Sequence, residues 1–262
     1  MHPGLPKSYK KAYPFKICAP SFIYPDDYLP NIRSLGPHLD EIEILCFESN
    51  APPSAETVRE MASLAADMNL TYNVHLPTDI HPGSPTAGVR CHFIEMMLRV
   101  MERVHPLNAS THTLHLPYSQ TPAGTSCDDA WRDRTADTLR RLFDAGIQSN
   151  CLTIETLDYP LEWISGVLDT FKLKVCLDIG HLMIHGEDIS ATYDRFENRT
   201  ALIHLHGVQA GKDHLGLDVL DPDAQTEICS ILNRFSGTVS LEVFSRPRLV
   251  NSLSVLECWF KR

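Results

Sequence analysis

A chain of 262 residues, 43% hydrophobic and 21% charged, is ordinary globular material, long enough for one large α/β domain or two small ones. Its 23 basic and 33 acidic residues give a formal charge of −10 with the 13 histidines neutral, which excludes a global positive field that would recruit nucleic acid or an anionic membrane. No stretch approaches the roughly 18 apolar residues of a membrane span, and the amino-terminal MHPGLPKSYKKAYPFK lacks the apolar core of a signal peptide, so a cytoplasmic protein is expected.

In chain order, residues 1–13 read as a loose extension ahead of a single domain over 14–262. Eight short β-rich runs come next: FKICAP (15–20), EIEILCF (41–47), TYNVHL (71–76), HTLHL (112–116), CLTIET (151–156), KVCLDIG (174–180), ALIHLHG (201–207) and VSLEVF (239–244). Of the eight cysteines, Cys18, Cys46, Cys151 and Cys176 lie inside these runs, and no CxxC pair occurs, so reduced thiols acting as small hydrophobes are expected. Helical patterns separate the runs. SAETVREMASLAADMN offers Ser54 as an N-cap and an apolar stripe of Val58, Met61, Ala62, Ala65 and Met68, and AWRDRTADTLRRLFDAG stops at Gly146. Repeated βα units at this length predict a single-domain α/β fold, the (β/α)8 or TIM barrel.

The polar residues of these runs fall near their carboxyl ends: His75 in the third, His115 in the fourth, Glu155 in the fifth, Asp178 in the sixth, His204 and His206 in the seventh, Glu242 in the eighth. In a (β/α)8 barrel those ends converge on one mouth. Imidazoles and carboxylates without thiolates suit divalent Zn, Mn or Fe, and His181 and His214 add nitrogens from the loops after the sixth and seventh runs. A lone histidine on an apolar strand is usually a hydrogen-bonded core residue. A convergent ring of them is costly to bury without a function, because an unpaired buried polar group costs several kcal/mol. Glu155, Glu242 and Asp178 are the candidate catalytic carboxylates.

Other candidates carry weaker signals. His206 shares a strand face with His204, but a lower barrel layer would also accommodate it. Lys212 and Arg246 lie after the seventh and eighth runs, where barrels often bind phosphate, although solvation alone would explain them. Trp131 either packs at a helix start or flanks a large ligand. Glu48 reads as a solvated loop residue.

The segments NVHLP, TLHLP, TIET, CLDIGH, IHLH and SLEVF resemble the metal motifs of the xylose-isomerase-like barrels, in particular the endonuclease IV family (AP endonuclease family 2), over residues 15–245. The longer segments APSFIYPDDYLPNI (19–32), NVHLPTDI (73–80) and ETLDYP (155–160) most resemble the cobamide-remodelling phosphodiesterases of the CbiR type. That resemblance implies hydrolysis of the nucleotide-loop phosphodiester of a corrinoid substrate to a cobinamide phosphate and an α-riboside. It implies two or three divalent ions: His75 and His115 on one, Glu155 bridging to a second held by Asp178, His204 and Glu242, and His181 with His214 on a third. The chain departs from the endonuclease pattern at KDHLG, where Lys212 replaces an aspartate, which puts the third ion in doubt. The resemblance also implies a wide, apolar-walled mouth built by the loops after the first, third and fourth runs. The rival readings are a one-metal sugar isomerase or epimerase, an abasic-site DNA endonuclease, and a barrel that only binds a corrinoid or sugar.

Overall fold

The computed structural model describes residues 2–118 and 128–260. All eight expected strands form: β1 (Lys16–Pro20), β2 (Glu41–Leu45), β3 (Thr71–His75), β4 (His112–Leu114), β5 (Leu152–Glu155), β6 (Lys174–Asp178), β7 (Thr200–Leu205) and, last in the chain, β10 (Thr238–Leu241). They close into one parallel barrel in the order β1-β10-β7-β6-β5-β4-β3-β2, so the chain is a single-domain TIM barrel. The register sets which residues are neighbours at the mouth. Asp178 of β6 lies opposite His204 of β7, and His204 lies opposite Ser240 of β10.

Side-chain alternation along each strand builds two different environments. One face carries Ile42 and Ile44, Tyr72 and Val74, Val175 and Leu177, Ile203 and Leu205, and Val239 and Leu241, all buried in the apolar core. Tyr72 shows where that face points, since its hydroxyl donates to the Met61 carbonyl of helix α2 (Ala55–Met68). Fully burying each such side chain is worth about 1.5–3 kcal/mol. The other face is polar or small. Asn73 donates to Glu41, Thr113 and Thr153 share a hydrogen bond, and Ser240 donates to Glu43, all inside the barrel. The barrel interior is therefore a hydrogen-bonded polar column, and the apolar core lies between strands and helices.

Helix α2 begins where Ser54 accepts the amide of Thr57, as expected of an N-cap, and ends at Asn69 in the left-handed region. Helix α4 (Asp129–Asp144) is capped by Asp128, and the chain leaves it through Gly146 at φ +108°.

Two expectations are corrected. The amino-terminal segment is not loose: Leu5 and Tyr9 are buried in the core, the Tyr9 amide donates to the His38 carbonyl, and the Tyr24 hydroxyl donates to the Pro3 carbonyl. The segment after β7 is not a plain loop either. It forms an antiparallel hairpin of β8 (Gly207–Gln209) and β9 (Lys212–Leu215), whose two turn residues, Ala210 and Gly211, both have positive φ, as a tight two-residue hairpin turn requires.

Candidate metal centre

The last inward-facing residue of each strand from β3 round to β10, or the first residue beyond it, carries a ligand type. His75 and His115 both point Nε2 at Oε2 of Glu155, each at 3.1 Å. The other Glu155 oxygen lies 3.4 Å from His181 Nδ1. Nδ1 of His204 faces Glu242 at 3.2 Å, Glu155 at 3.5 Å and Asp178 at 3.8 Å. Ligand atoms converge within 4.8 Å of one another in four overlapping groups: His75, Glu155 and His204; Glu155, Asp178 and His181; Asp178, His204 and Glu242; His181, His206 and His214.

The hydrogen-bond network assigns the imidazole tautomers. His75, His181 and His214 each place Nδ1 on a main-chain carbonyl, that of Leu76 at 2.9 Å, Thr156 at 2.9 Å and Glu242 at 3.0 Å. With Nδ1–H donating there, each Nε2 is the nitrogen turned away from the main chain. His204 is held in reverse, its Nε2 on Glu43 Oε1 at 2.9 Å and its Nδ1 turned to the carboxylates. Anchoring one ring nitrogen so that the other is presented is how proteins orient metal-binding histidines. His206 differs. Its Nδ1 accepts the His214 amide at 3.0 Å, and its Nε2 lies 3.2 Å from Asp178 Oδ1. Its place in the structure is beside Asp178, not in a lower barrel layer.

Charge in the site is balanced tightly. Burial lowers the proton affinity of His75, but Glu155, Glu43 and Glu242 outweigh it and raise its pKa from 6.5 to about 9. Burial likewise opposes protonation of His206, and Asp178 raises it to about 9. Burial disfavours ionised Glu155, yet His115 and His204 hold it well below the usual carboxylate range, and His204 does the same for Glu242. The four carboxylates Glu43, Glu155, Asp178 and Glu242 are all buried, so the site demands positive charge.

That demand is not met by hydrogen bonds alone. His115 Nε2, Asp178 Oδ2, His204 Nδ1 and Glu242 Oε2 are buried without a hydrogen-bond partner. Convergent imidazole nitrogens and carboxylate oxygens left unpaired in this way fit divalent cations of the Zn, Mn or Fe type.

The DIGH motif takes its shape from this site. Asp178 ends β6 and caps helix α6 (Ile179–His185), its Oδ1 accepting the His181 amide at 2.8 Å. Gly180 lies against the His206 ring, and a Cβ there would overlap it. The spacing thus places a ligand, a small residue and a second ligand on one helical turn.

Several candidates fall elsewhere. Trp131 is 3% exposed and its indole donates to the Pro117 carbonyl, so it packs and does not line the mouth. Arg246 donates to the Gly4 carbonyl and ties down the amino-terminal segment. Lys212 is exposed on β9, and Glu48 is exposed after β2. Glu43, which anchors His204, is not singled out by the sequence reading. Its signal is the alternation EIEIL, which sets two carboxylates at a period of two inside an apolar strand.

The class so defined is a parallel (β/α)8 barrel whose carboxyl-terminal mouth carries histidines and carboxylates that could hold divalent ions. The family described as xylose isomerase-like TIM barrel (AP endonuclease 2) matches residues 30–260, and the chain belongs to that family. Its fold is similar to a D-tagatose 3-epimerase-like protein (TM-score 0.76, 18% identity, 94% of this chain and 97% of that one). It is also similar to the D-psicose 3-epimerase of Clostridium cellulolyticum H10 (TM-score 0.72, 14% identity, 94% and 98%) and to the IOLI protein with a bound zinc atom (TM-score 0.67, 15% identity, 95% and 100%). At these identities the likeness is one of fold. No curated protein matches the chain by sequence.

Proposed function

We propose that this barrel is a metal-dependent phosphodiesterase that hydrolyses the nucleotide-loop phosphodiester of cobamides. The observation that carries the phosphodiesterase reading is the position of Glu155. Glu155 belongs both to the group with His75 and His204 and to the group with Asp178 and His181, so a single glutamate joins two ligand groups, more donors than one ion uses. The cobamide part rests on the wording of APSFIYPDDYLPNI, NVHLPTDI and ETLDYP.

Divalent ions held by these residues supply Lewis acidity and bring the pKa of water towards neutrality. The chain's own groups do the rest. Glu155, His75 and His115 define one side of the site, and Asp178, His204 and Glu242 the other. Glu242 Oε2, 3.2 Å from His204 Nδ1 and without a hydrogen-bond partner, is the acceptor that orients the attacking water. Water adds to phosphorus, the bond from phosphorus to the ribose oxygen breaks, and that oxygen leaves with a proton as the α-riboside. The net charge of −10 opposes abasic duplex DNA as an alternative diester.

A second reading is a sugar epimerase using one ion, supported by the compact group Asp178, His204 and Glu242 with Glu155 beside it and by the epimerases named above. Mass detection of products after incubating metal-loaded protein with an intact cobamide tests the first reading: a cobinamide phosphate is expected. Epimerisation of a ketohexose by a protein saturated with one ion per chain would replace it.

A further inference from the structure

Three phenylalanines stand beside this site on neighbouring strand ends. Phe22 comes after β1, Phe47 after β2 and Phe244 after β10, and β1 lies between β2 and β10 in the barrel. The rings form a chain. Phe22 and Phe47 have centroids 5.6 Å apart, Phe47 and Phe244 6.4 Å, and Phe244 lies 5.1 Å from the ring of His214. Phe47 is 47% exposed, and the other large hydrophobic side chain this exposed among the described residues is Val89, on helix α3 (Ala87–Val104). A phenylalanine held half in water next to a ring of ligands is a surface kept open for contact.

The wall shares the segment after the first strand with the one expected and adds those after β2 and β10. The loops after the first, third and fourth strands were to build it, but the aromatic side chains come from the segments after β1, β2 and β10. After β3, Leu76 and Ile80 are buried, and residues 119–127 after β4 lie outside the described residues. On the far side Tyr118, Trp131 and Tyr159 pack against one another, two of them buried in the core. A cavity of about 250 Å3 opens beside His181, lined by Leu157, Asp158, Ile184, His185 and Asp213.

Resting on the phosphodiesterase reading, we propose that Phe22, Phe47 and Phe244 are the subsite for the planar aromatic base of the substrate's nucleotide. The base is joined to phosphorus through one ribose. His214, Phe244 and Phe47 follow one another from the ligand group to the exposed ring, and offset or edge-on ring contacts need no polar partner. The corrin, attached on the other side of the phosphate, lies away from the ridge.

The test is a titration of zinc-loaded protein with the α-riboside of a benzimidazole, followed by kinetics on an intact cobamide. Phe47→Ala and the double variant Phe22→Ala/Phe47→Ala should weaken riboside binding about fivefold and tenfold or more, Phe47→Trp should retain it, and Val89→Ala should bind as the wild type does. On the cobamide the loss should fall on KM more than on kcat, with metal content unchanged. Equal riboside affinity in wild type and Phe47→Ala, or no binding to the wild type, overturns the subsite. If no cobamide is cleaved but the riboside still binds in a Phe47-dependent way, the phosphodiesterase reading falls and the subsite stands.

Discussion

Oε1 of Glu43 lies 2.9 Å from Nε2 of His204, and its other oxygen accepts the Ser240 hydroxyl at 2.7 Å. This buried pair decides which His204 nitrogen the site receives. Glu43→Gln keeps the shape but removes the charge and lets the imidazole turn, so metal affinity should fall by about 10–100-fold. Competition against a chelator, with circular dichroism to check the fold, measures this; an unchanged affinity makes Glu43 a packing residue.

Glu155 joins two ligand groups, so the wild type purified without chelator should hold at least two divalent ions per chain. Glu155→Gln should lower that content and abolish turnover. Elemental analysis reads the first effect and a product assay the second. One tightly held ion at full activity would favour the epimerase reading.

Asp178→Asn separates chemistry from stability. Asparagine caps a helix about as well as aspartate, so the His181 amide keeps its acceptor and the melting temperature should move by only a few degrees. The charge facing His206 and His204 is lost, and activity should drop by about a thousandfold. Wild-type turnover in this variant would make DIGH a structural motif.

Gly180→Ala asks whether the motif's glycine serves His206. The added methyl must displace a fully buried ring that is held between Asp178 and the His214 amide, a small-to-large change costing about 1–3 kcal/mol. A lower melting temperature and weaker metal retention are expected together. Loss of neither would show that the ring has room to move.

The metal-free protein should lose stability as the solution becomes basic. His75 titrates at about 9 when folded against 6.5 as a free group, so its contribution is complete below about 6.5 and fades as pH rises through 9. Glu155 and Glu242 are depressed below 4.5, so theirs is present above that value and is lost in acid. Calorimetry of chelated protein should find its highest melting temperature between about pH 4.5 and 6.5. Metal affinity should run the other way, rising with pH as protons leave the same nitrogens.

The features legible in the chain are those that local forces decide. β-rich runs separated by helical patterns are local signals, and parallel strands of this kind have few ways to close, so eight strands and a barrel could be read from sequence with errors of up to three residues at their ends. The convergence of these histidines and carboxylates was legible too, because barrel strands deliver their carboxyl ends to one mouth whatever lies between them. Side-chain partnership is not local. Whether His206 served the site or a lower layer, whether Trp131 faced a ligand or the core, and whether Arg246 was free or bound to the Gly4 carbonyl depended on contacts between residues far apart in sequence. Glu43 shows the limit most plainly. Within EIEIL it is one of two similar carboxylates, and only closure of the barrel, which brings β10 and β7 round beside it, gives one glutamate to His204 and leaves the other bonded to Asn73 and Ser110.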